Sequence, residues 1–212
     1  FLVNRILMPY LNEVGYLLEE GVSIKDIEKA CVNFGMPMGP CRLLDEIGID
    51  VGVKVAKILH DGLGDRAKGS TQSGLLAEKN FLGKKTGKGF YNYDKSGKEV
   101  GLNEEVAALL PKTKKEMDET EIQMRVFLPM INEAAYILDE GIVENASVVD
   151  LGLIFGIGFP PFRGGLLRYA DSEGISRILD AIKKFSTSID EDRYRPSKYL
   201  INLVENNQNF YS

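Results

Sequence analysis

The length, composition and charge of the chain exclude several classes of protein. It has 212 residues, of which 44% are hydrophobic and 27% charged, and this balance is typical of a folded globular protein rather than a disordered one. The net charge of -5 provides no overall positive field for a nucleic acid or an anionic membrane surface. No run of residues approaches the ~18 apolar residues of a membrane span. We therefore expect no nucleic-acid partner and no membrane span.

The cysteines and the start of the chain bear on where the protein is found. Cys31 and Cys41 form neither a C-x-x-C pair nor a dense disulfide pattern. Free thiols are easier to maintain in a reducing compartment, so the sequence favours the cytoplasm. The chain opens at Phe1 without the pattern of a signal peptide or a helix cap. We interpret it as a piece whose natural sequence continues upstream.

Nearly all of the remaining pattern is helical. Residues 2–21 combine high helix propensity with a terminal glycine, which is a common end of a helix. Similar patterns predict helices over residues 24–34, 50–60, 75–80, 104–110, 119–141, 147–155, 172–185 and 196–206. Only residues 89–93 are rich in strand-forming side chains. The sequence therefore predicts an all-α protein.

The second half of the chain repeats the first. Eight residues recur 120 positions later, and they are Arg5/Arg125, Pro9/Pro129, Asn12/Asn132, Glu13/Glu133, Tyr16/Tyr136, Leu18/Leu138, Glu20/Glu140 and Gly21/Gly141. Such a spacing indicates an internal duplication. A polar stretch that begins with Pro111 separates the copies as a linker would. We predict two helical domains, a first copy at residues 1–114 and a second copy at residues 115–212.

The duplication continues beyond the opening helices. Asp45 and Gly48 match Asp171 and Gly174, 126 positions later. Small insertions in loops account for the larger offset. The two copies can therefore be compared position by position.

A dinucleotide-binding turn is excluded. The run Gly156-Ile157-Gly158 begins like the G-x-G-x-x-G fingerprint, but Pro161 stands where the third glycine belongs. We therefore expect no nucleotide cofactor to be bound by this chain itself.

Four motifs, in their order and spacing, resemble one enzyme family. They are Asn4-Arg5, the run 35–40 (Gly-Met-Pro-Met-Gly-Pro), the run 82–91 (Leu-Gly-Lys-Lys-Thr-Gly-Lys-Gly-Phe-Tyr) and the run 158–165 (Gly-Phe-Pro-Pro-Phe-Arg-Gly-Gly). Together they resemble the helical C-terminal region of 3-hydroxyacyl-CoA dehydrogenases, and the last run resembles the final domain of multifunctional fatty-acid oxidation proteins. The resemblance implies two duplicated helical domains of the 6-phosphogluconate-dehydrogenase C-terminal-domain-like type.

The resemblance also implies a reaction of which this chain would perform only a part. In the family, a histidine paired with a glutamate in a preceding nucleotide-binding domain takes the proton of the substrate's 3-hydroxyl group while hydride passes to NAD. That domain, which would bind NAD, is not in this sequence. We therefore expect the parent protein to oxidise 3-hydroxyacyl-CoA to 3-oxoacyl-CoA in fatty-acid β-oxidation, and this chain alone to be inactive.

Asn4 is the candidate catalytic and substrate-binding residue. It matches the family's asparagine, whose neutral amide hydrogen-bonds the reacting oxygen. The second copy has Met124 at the equivalent position, and a thioether cannot orient an alkoxide. The resemblance thus implies that only the first copy keeps the polar group. Because single-copy relatives dimerise through this domain, we expect the second copy to provide a dimer-like contact within one chain.

Four further residues are candidate contacts with an acyl-CoA substrate. Lys84, Lys85 and Lys88 lie on a glycine-rich loop that could approach the phosphates of coenzyme A, although a solvated turn also explains them. Phe155 stands where multifunctional relatives commonly have a tyrosine that faces the substrate, so a hydroxyl contact is missing here.

Two other interpretations of the sequence stay open. The duplicated domains could form a non-catalytic helical interaction scaffold in which Asn4 is structural. A different dehydrogenase with an all-helical second domain, such as a sugar-acid enzyme, would give a similar pattern, but the loop at 82–91 argues against it.

Overall fold

The first half of the chain folds into helices and a β-hairpin. The computed structural model describes residues 1–211, and Ser212, the last residue of the predicted second copy, lies outside the described residues. The elements are α1 (Leu2–Glu19), α2 (Ile24–Phe34), α3 (Pro40–Ile47), α4 (Ile49–Leu63), α5 (Gln72–Glu78), β1 (Tyr91–Tyr93), β2 (Glu99–Leu102) and α6 (Glu104–Ala107). The two strands pair antiparallel.

The second half repeats the helices of the first in the same order. Its elements are α7 (Glu119–Asp139), α8 (Ala146–Ile157), α9 (Leu166–Glu173), α10 (Ile175–Ser188) and α11 (Lys198–Glu205). These five helices correspond in sequence order to α1, α2, α3, α4 and α5. Buried side chains from both halves join in one apolar core. The all-α fold class predicted from the sequence is confirmed.

Four elements differ from the sequence-based expectation. α3 and α9 are not among the predicted helices, because each is short and begins next to a glycine: α3 has Gly39 as its N-cap and α9 has Gly165. The helix predicted over 172–185 begins at Ile175, because Gly174 has a φ of 92° and ends α9. β2 was not predicted, since its residues Glu-Val-Gly-Leu carry little strand propensity.

The two opening helices pack against each other in antiparallel directions. Near the start of α1, Arg5 reaches the end of α7. Its Nε donates to Glu133 at 2.6 Å and its Nη1 donates to Glu140 at 2.6 Å. The Arg5 side chain is only 2% exposed. The first copy therefore buries a cation whose counter-charges belong to the second.

The same contact recurs with the roles of the copies exchanged. Near the start of α7, Arg125 donates from Nε to Glu13 at 2.7 Å and from Nη2 to Glu20 at 2.7 Å. Its side chain is also 2% exposed. The reciprocity means that α1 and α7 are related by an approximate two-fold axis.

A second pair of arginines, which the sequence analysis did not single out, follows the same symmetry. The guanidinium carbon of Arg66 lies 4.0 Å from the ring centre of Tyr136, and that of Arg193 lies 3.6 Å from the ring centre of Tyr16. Each arginine crosses from its own copy onto the opening helix of the other. These cation–π contacts add to the attraction between the copies.

Glu20 should make the stability of this interface sensitive to acid. Burial alone would raise the pKa of Glu20, but hydrogen bonds from Arg125 and Lys115 lower it from the ordinary 4.5 to about 2. A carboxyl whose pKa is lower in the folded state contributes stability that is present above pH 4.5 and is lost as the pH falls towards 2. We expect urea unfolding between pH 5 and pH 2 to show a steeper loss of stability for the wild type than for Glu20→Gln. An exposed control, Glu116→Gln, should keep the wild-type slope, and equal slopes for all three proteins would contradict the assignment.

Candidate functional site

Asn4 lies in the first turn of α1 with its side chain exposed. Within residues 1–211 the amide makes no hydrogen bond. Its neighbour Val3 packs closely on α8, where a Cβ added to Gly156 would lie 2.9 Å from Val3 Cγ2. The structure thus places an unpartnered amide at the surface where α1 meets α8.

The face of α8 next to this junction is apolar and exposed. Val148, Leu151 and Phe155 follow one another at helical spacing along it, and their exposed fractions are 40%, 53% and 84%. An exposed apolar stripe on the surface of a folded protein often marks a site that contacts a ligand or another protein surface. Phe155, predicted as a substrate contact, therefore lies in the same region as Asn4.

The equivalent face of α2 in the first copy is polar. The two helices can be aligned because Glu28 on α2 and Asp150 on α8 each accept a backbone hydrogen bond from the first turn of the following helix, at 2.7 Å in both copies. With that alignment, Asp26, Lys29 and Asn33 stand where α8 has its apolar stripe. Of these two equivalent helices, α8, which lies beside Asn4, is the one with the apolar stripe.

The position equivalent to Asn4 confirms this difference between the copies. Met124 occupies it in the first turns of α7, where it is 36% exposed. Next to it, Gln123 donates to the carbonyl oxygen of Ala30 on α2 at 2.9 Å. The second copy therefore has neither the amide nor the apolar stripe at its own helix junction.

The loop lysines lie elsewhere, against α3, α4 and α6. All three are exposed and each contacts an acidic side chain: Lys84 with Glu46, Lys85 with Asp50, and Lys88 with Glu105. The structure does not show them next to Asn4.

The glycines of this loop have a structural role. Gly83 and Gly89 pass so close to Asp45 that neither position has room for a Cβ. The Asp45 carboxylate accepts backbone hydrogen bonds from Phe90 and Tyr91, both at 2.9 Å. Burial raises the pKa of Asp45 to about 6 despite these bonds. The glycine pattern thus lets the loop wrap around a buried carboxylate.

A groove that the sequence analysis did not predict runs between α1, α4 and α5. Its volume is about 320 Å³, which falls within the range of small-molecule sites. Met8 and Leu11 form its α1 side, and Val53 and Ala56 form much of its α4 side. Its polar rim includes Asn12, Lys57, His60, Lys68, Ser70, Thr71 and Ser73. No motif marks it, because its walls are scattered along three helices.

Comparison with known proteins agrees with the resemblance. Residues 1–93 and 122–210 match the family described as 3-hydroxyacyl-CoA dehydrogenase, C-terminal domain. Along its whole length the chain is 46% identical to the fatty acid oxidation complex subunit alpha of Idiomarina loihiensis. The chain therefore belongs to the family of 3-hydroxyacyl-CoA dehydrogenase C-terminal domains.

Two solved structures have the same fold. A 3-hydroxybutyryl-CoA dehydrogenase from Escherichia coli has a TM-score of 0.75 at 23% identity, covering 98% of this chain and 60% of that one. The dehydrogenase part of multifunctional enzyme 1 from C. elegans has a TM-score of 0.72 at 26% identity, covering 95% of this chain and 47% of that one.

The chain is shorter than these relatives. It spans 30% of the length of the Idiomarina loihiensis protein. Among the described residues, no helix is both long enough and apolar enough to cross a bilayer.

Proposed function

We propose that this chain is the substrate-side part of an NAD-dependent 3-hydroxyacyl-CoA dehydrogenase that oxidises 3-hydroxyacyl-CoA to 3-oxoacyl-CoA in fatty-acid β-oxidation. The supporting observation is the exposed, unpartnered amide of Asn4 beside the apolar stripe of α8. This combination occurs on the first-copy side of an otherwise symmetric pair of helices. Family membership supplies the class of reaction.

Asn4 would act on the oxygen of the substrate's third carbon. Its amide nitrogen donates hydrogen bonds without carrying a charge, so it can stabilise negative charge that develops on that oxygen. The apolar stripe, with Phe155 at its end, would cover the substrate and keep water from the reacting carbon. The phenyl ring makes this contact without the hydroxyl group of a tyrosine.

The loop lysines would meet the other end of the substrate. Lys84, Lys85 and Lys88 are proposed to face the phosphates of coenzyme A. Their present salt bridges are exposed, and such pairs are worth only about 0–1 kcal/mol, so they can be exchanged for a phosphate at little cost.

NAD would be held by another domain of the same natural chain. The described residues have a two-stranded antiparallel sheet and no glycine-rich turn from a strand to a helix, so they do not fit a dinucleotide. The proton acceptor would also come from the upstream nucleotide-binding domain. The isolated chain would therefore be inactive, and the cytoplasm would be the site of the reaction.

The second copy would serve as an internal partner of the first. The reciprocal arginine contacts between α1 and α7 support an intramolecular pseudo-dimer of two domains, at residues 1–114 and 115–212. In this arrangement the second copy has lost the amide and keeps the contact.

Adding the upstream domain tests the proposal. We expect the natural chain that includes this domain to reduce NAD with 3-hydroxybutyryl-CoA, measured by NADH absorbance, and the 212-residue chain alone to give no signal. A longer chain that binds acyl-CoA but produces no NADH would instead favour the non-catalytic helical scaffold.

A further inference from the structure

We propose that the groove between α1, α4 and α5 receives the acyl chain of the substrate and so determines which chain lengths are accepted. This inference rests on the proposed function, because it takes the substrate to be an acyl thioester. Three observations support it: the small side chains that open the groove, the face of α1 that it shares with Asn4, and its mainly aliphatic lining.

A shared contact aligns the two copies around the groove. Asp45 precedes α4 and Asp171 precedes α10, and each accepts two backbone hydrogen bonds of 2.9 to 3.0 Å from an aromatic pair late in its own copy. Gly48 and Gly174 then form the N-caps of α4 and α10, with φ angles of 97° and 92°. Each residue of α10 therefore corresponds to the α4 residue 126 positions earlier.

Small side chains in the first copy create the groove. The replacements are Val53 for Leu179 and Ala56 for Ile182. Gly52, which replaces Ile178, instead makes room for Leu44, because a Cβ on Gly52 would lie 3.1 Å from Leu44 Cδ2. In the second copy Leu179 and Ile182 are at most 3% exposed and fill the core. An unfilled cavity lowers stability in proportion to its volume. The same fold can fill this space, so the smaller residues indicate a space kept for a ligand.

The groove lies on the face of α1 that also carries Asn4. Asn4, Met8, Leu11 and Gly15 are spaced by four, three and four residues and therefore share one face of α1. Met8 and Leu11 line the groove. At the far end Ser70 crosses Gly15 so closely that no Cβ fits there. An acyl chain that entered from the Asn4 end would thus run along α1 and stop at Ser70.

The surface of the groove suits an uncharged chain. Its walls are mainly aliphatic, and two of the rim groups already have acidic partners. Lys57 Nζ lies 2.9 Å from Asp61 Oδ2, and His60 Nε2 lies 3.4 Å from Asp65 Oδ1. An ionised head group would compete with these contacts, whereas methylene groups gain from leaving water. The acyl part of a thioester fits better than a free carboxylate.

Binding of decanoyl-CoA to the 212-residue chain provides the first test. We expect decanoyl-CoA to shift the methyl NMR signals of Met8, Leu11 and Val53, and acetyl-CoA to leave them unchanged. Ala56→Ile, which installs the second copy's side chain, should weaken decanoyl-CoA binding at least ten-fold, because a pocket discriminates by about ten-fold or more for each methylene it cannot hold.

A matched variant on the outer face of α4 provides the control. Ile58 is 68% exposed and corresponds to Lys184, so Ile58→Lys should leave binding unchanged. Val53→Leu fills less space and should give a smaller loss if Ala56→Ile does not fold. Unshifted methyl signals, or shifts with free decanoate but not with decanoyl-CoA, would overturn the inference.

Activity of the longer natural chain separates this inference from the proposed function. Ala56→Ile should lower turnover of 3-hydroxydecanoyl-CoA at least ten-fold and leave 3-hydroxybutyryl-CoA unaffected. Equal effects on both substrates would overturn the role of the groove while the dehydrogenase proposal stands. If the wild type oxidises neither substrate, the dehydrogenase proposal fails, and the methyl shifts still decide whether the groove binds an acyl chain.

Discussion

Replacing Asn4 with alanine, in a longer natural chain that includes the proposed nucleotide-binding domain, should lower kcat by about a hundred- to a thousand-fold. The amide is free in the described structure and exposed, so its removal breaks no internal contact. If it donates to the oxygen mainly while negative charge develops there, kcat and kcat/KM should fall together. Steady-state NADH formation from 3-hydroxybutyryl-CoA measures both constants.

The equivalent position in the second copy supplies the control. Met124→Ala changes a partly exposed side chain at the same point of α7. It should leave kcat within about two-fold of the wild-type value, because a surface substitution usually changes free energies by no more than about 0.5 kcal/mol. Unchanged thermal unfolding of Asn4→Ala would exclude a folding defect. Equal losses in both variants, or no loss for Asn4→Ala, would show that Asn4 is not catalytic.

Replacing Arg125 with methionine should lower the free energy of unfolding by about 3–5 kcal/mol. The guanidinium is 2% exposed and its hydrogen bonds to Glu13 and Glu20 cross between the copies. Methionine fills similar space but leaves Glu13, which is 3% exposed, short of its main cationic partner. Urea unfolding at neutral pH measures the difference.

The approximate two-fold symmetry of the copies lets the same unfolding measurement be applied to the equivalent arginine in the first copy. Arg5→Met should cost about as much as Arg125→Met, because Arg5 makes the same contacts to the other copy. Arg177 pairs with Glu173 at 3.9 Å and is 81% exposed, so Arg177→Ala should change stability by no more than about 0.5 kcal/mol. A loss for Arg125→Met no larger than that of Arg177→Ala would mean that the buried pairs contribute little.

The sequence predicted the parts of the fold that local patterns determine. The helices beginning at Leu2 and Glu119 were recognisable because apolar residues recur at helical spacing and a glycine follows each. The repeat also marked Arg5 and Glu13 as equivalent to Arg125 and Glu133. It could not show that each arginine pairs with the other copy's glutamates, because the packing of two helices is not a local property of either.

The sequence marked only some residues of the candidate site. Asn4 lies in a motif and Phe155 lies three residues before another, and the structure brings their helices together. The groove has no motif, since it depends on Val53 and Ala56 being smaller than the residues 126 positions later. The offset of 126 can be read from the sequence, but only the structure shows that these two residues line an open groove.

The crossed arginines imply that the peptide link between the halves is not what keeps them together. Trypsin should cut the exposed stretch at Lys112 or Lys114, because no helix or strand protects it. The two pieces would separate in denaturing electrophoresis, yet elute as a single species in gel filtration. Each opening helix would still have its charges met by a chain to which it is no longer joined.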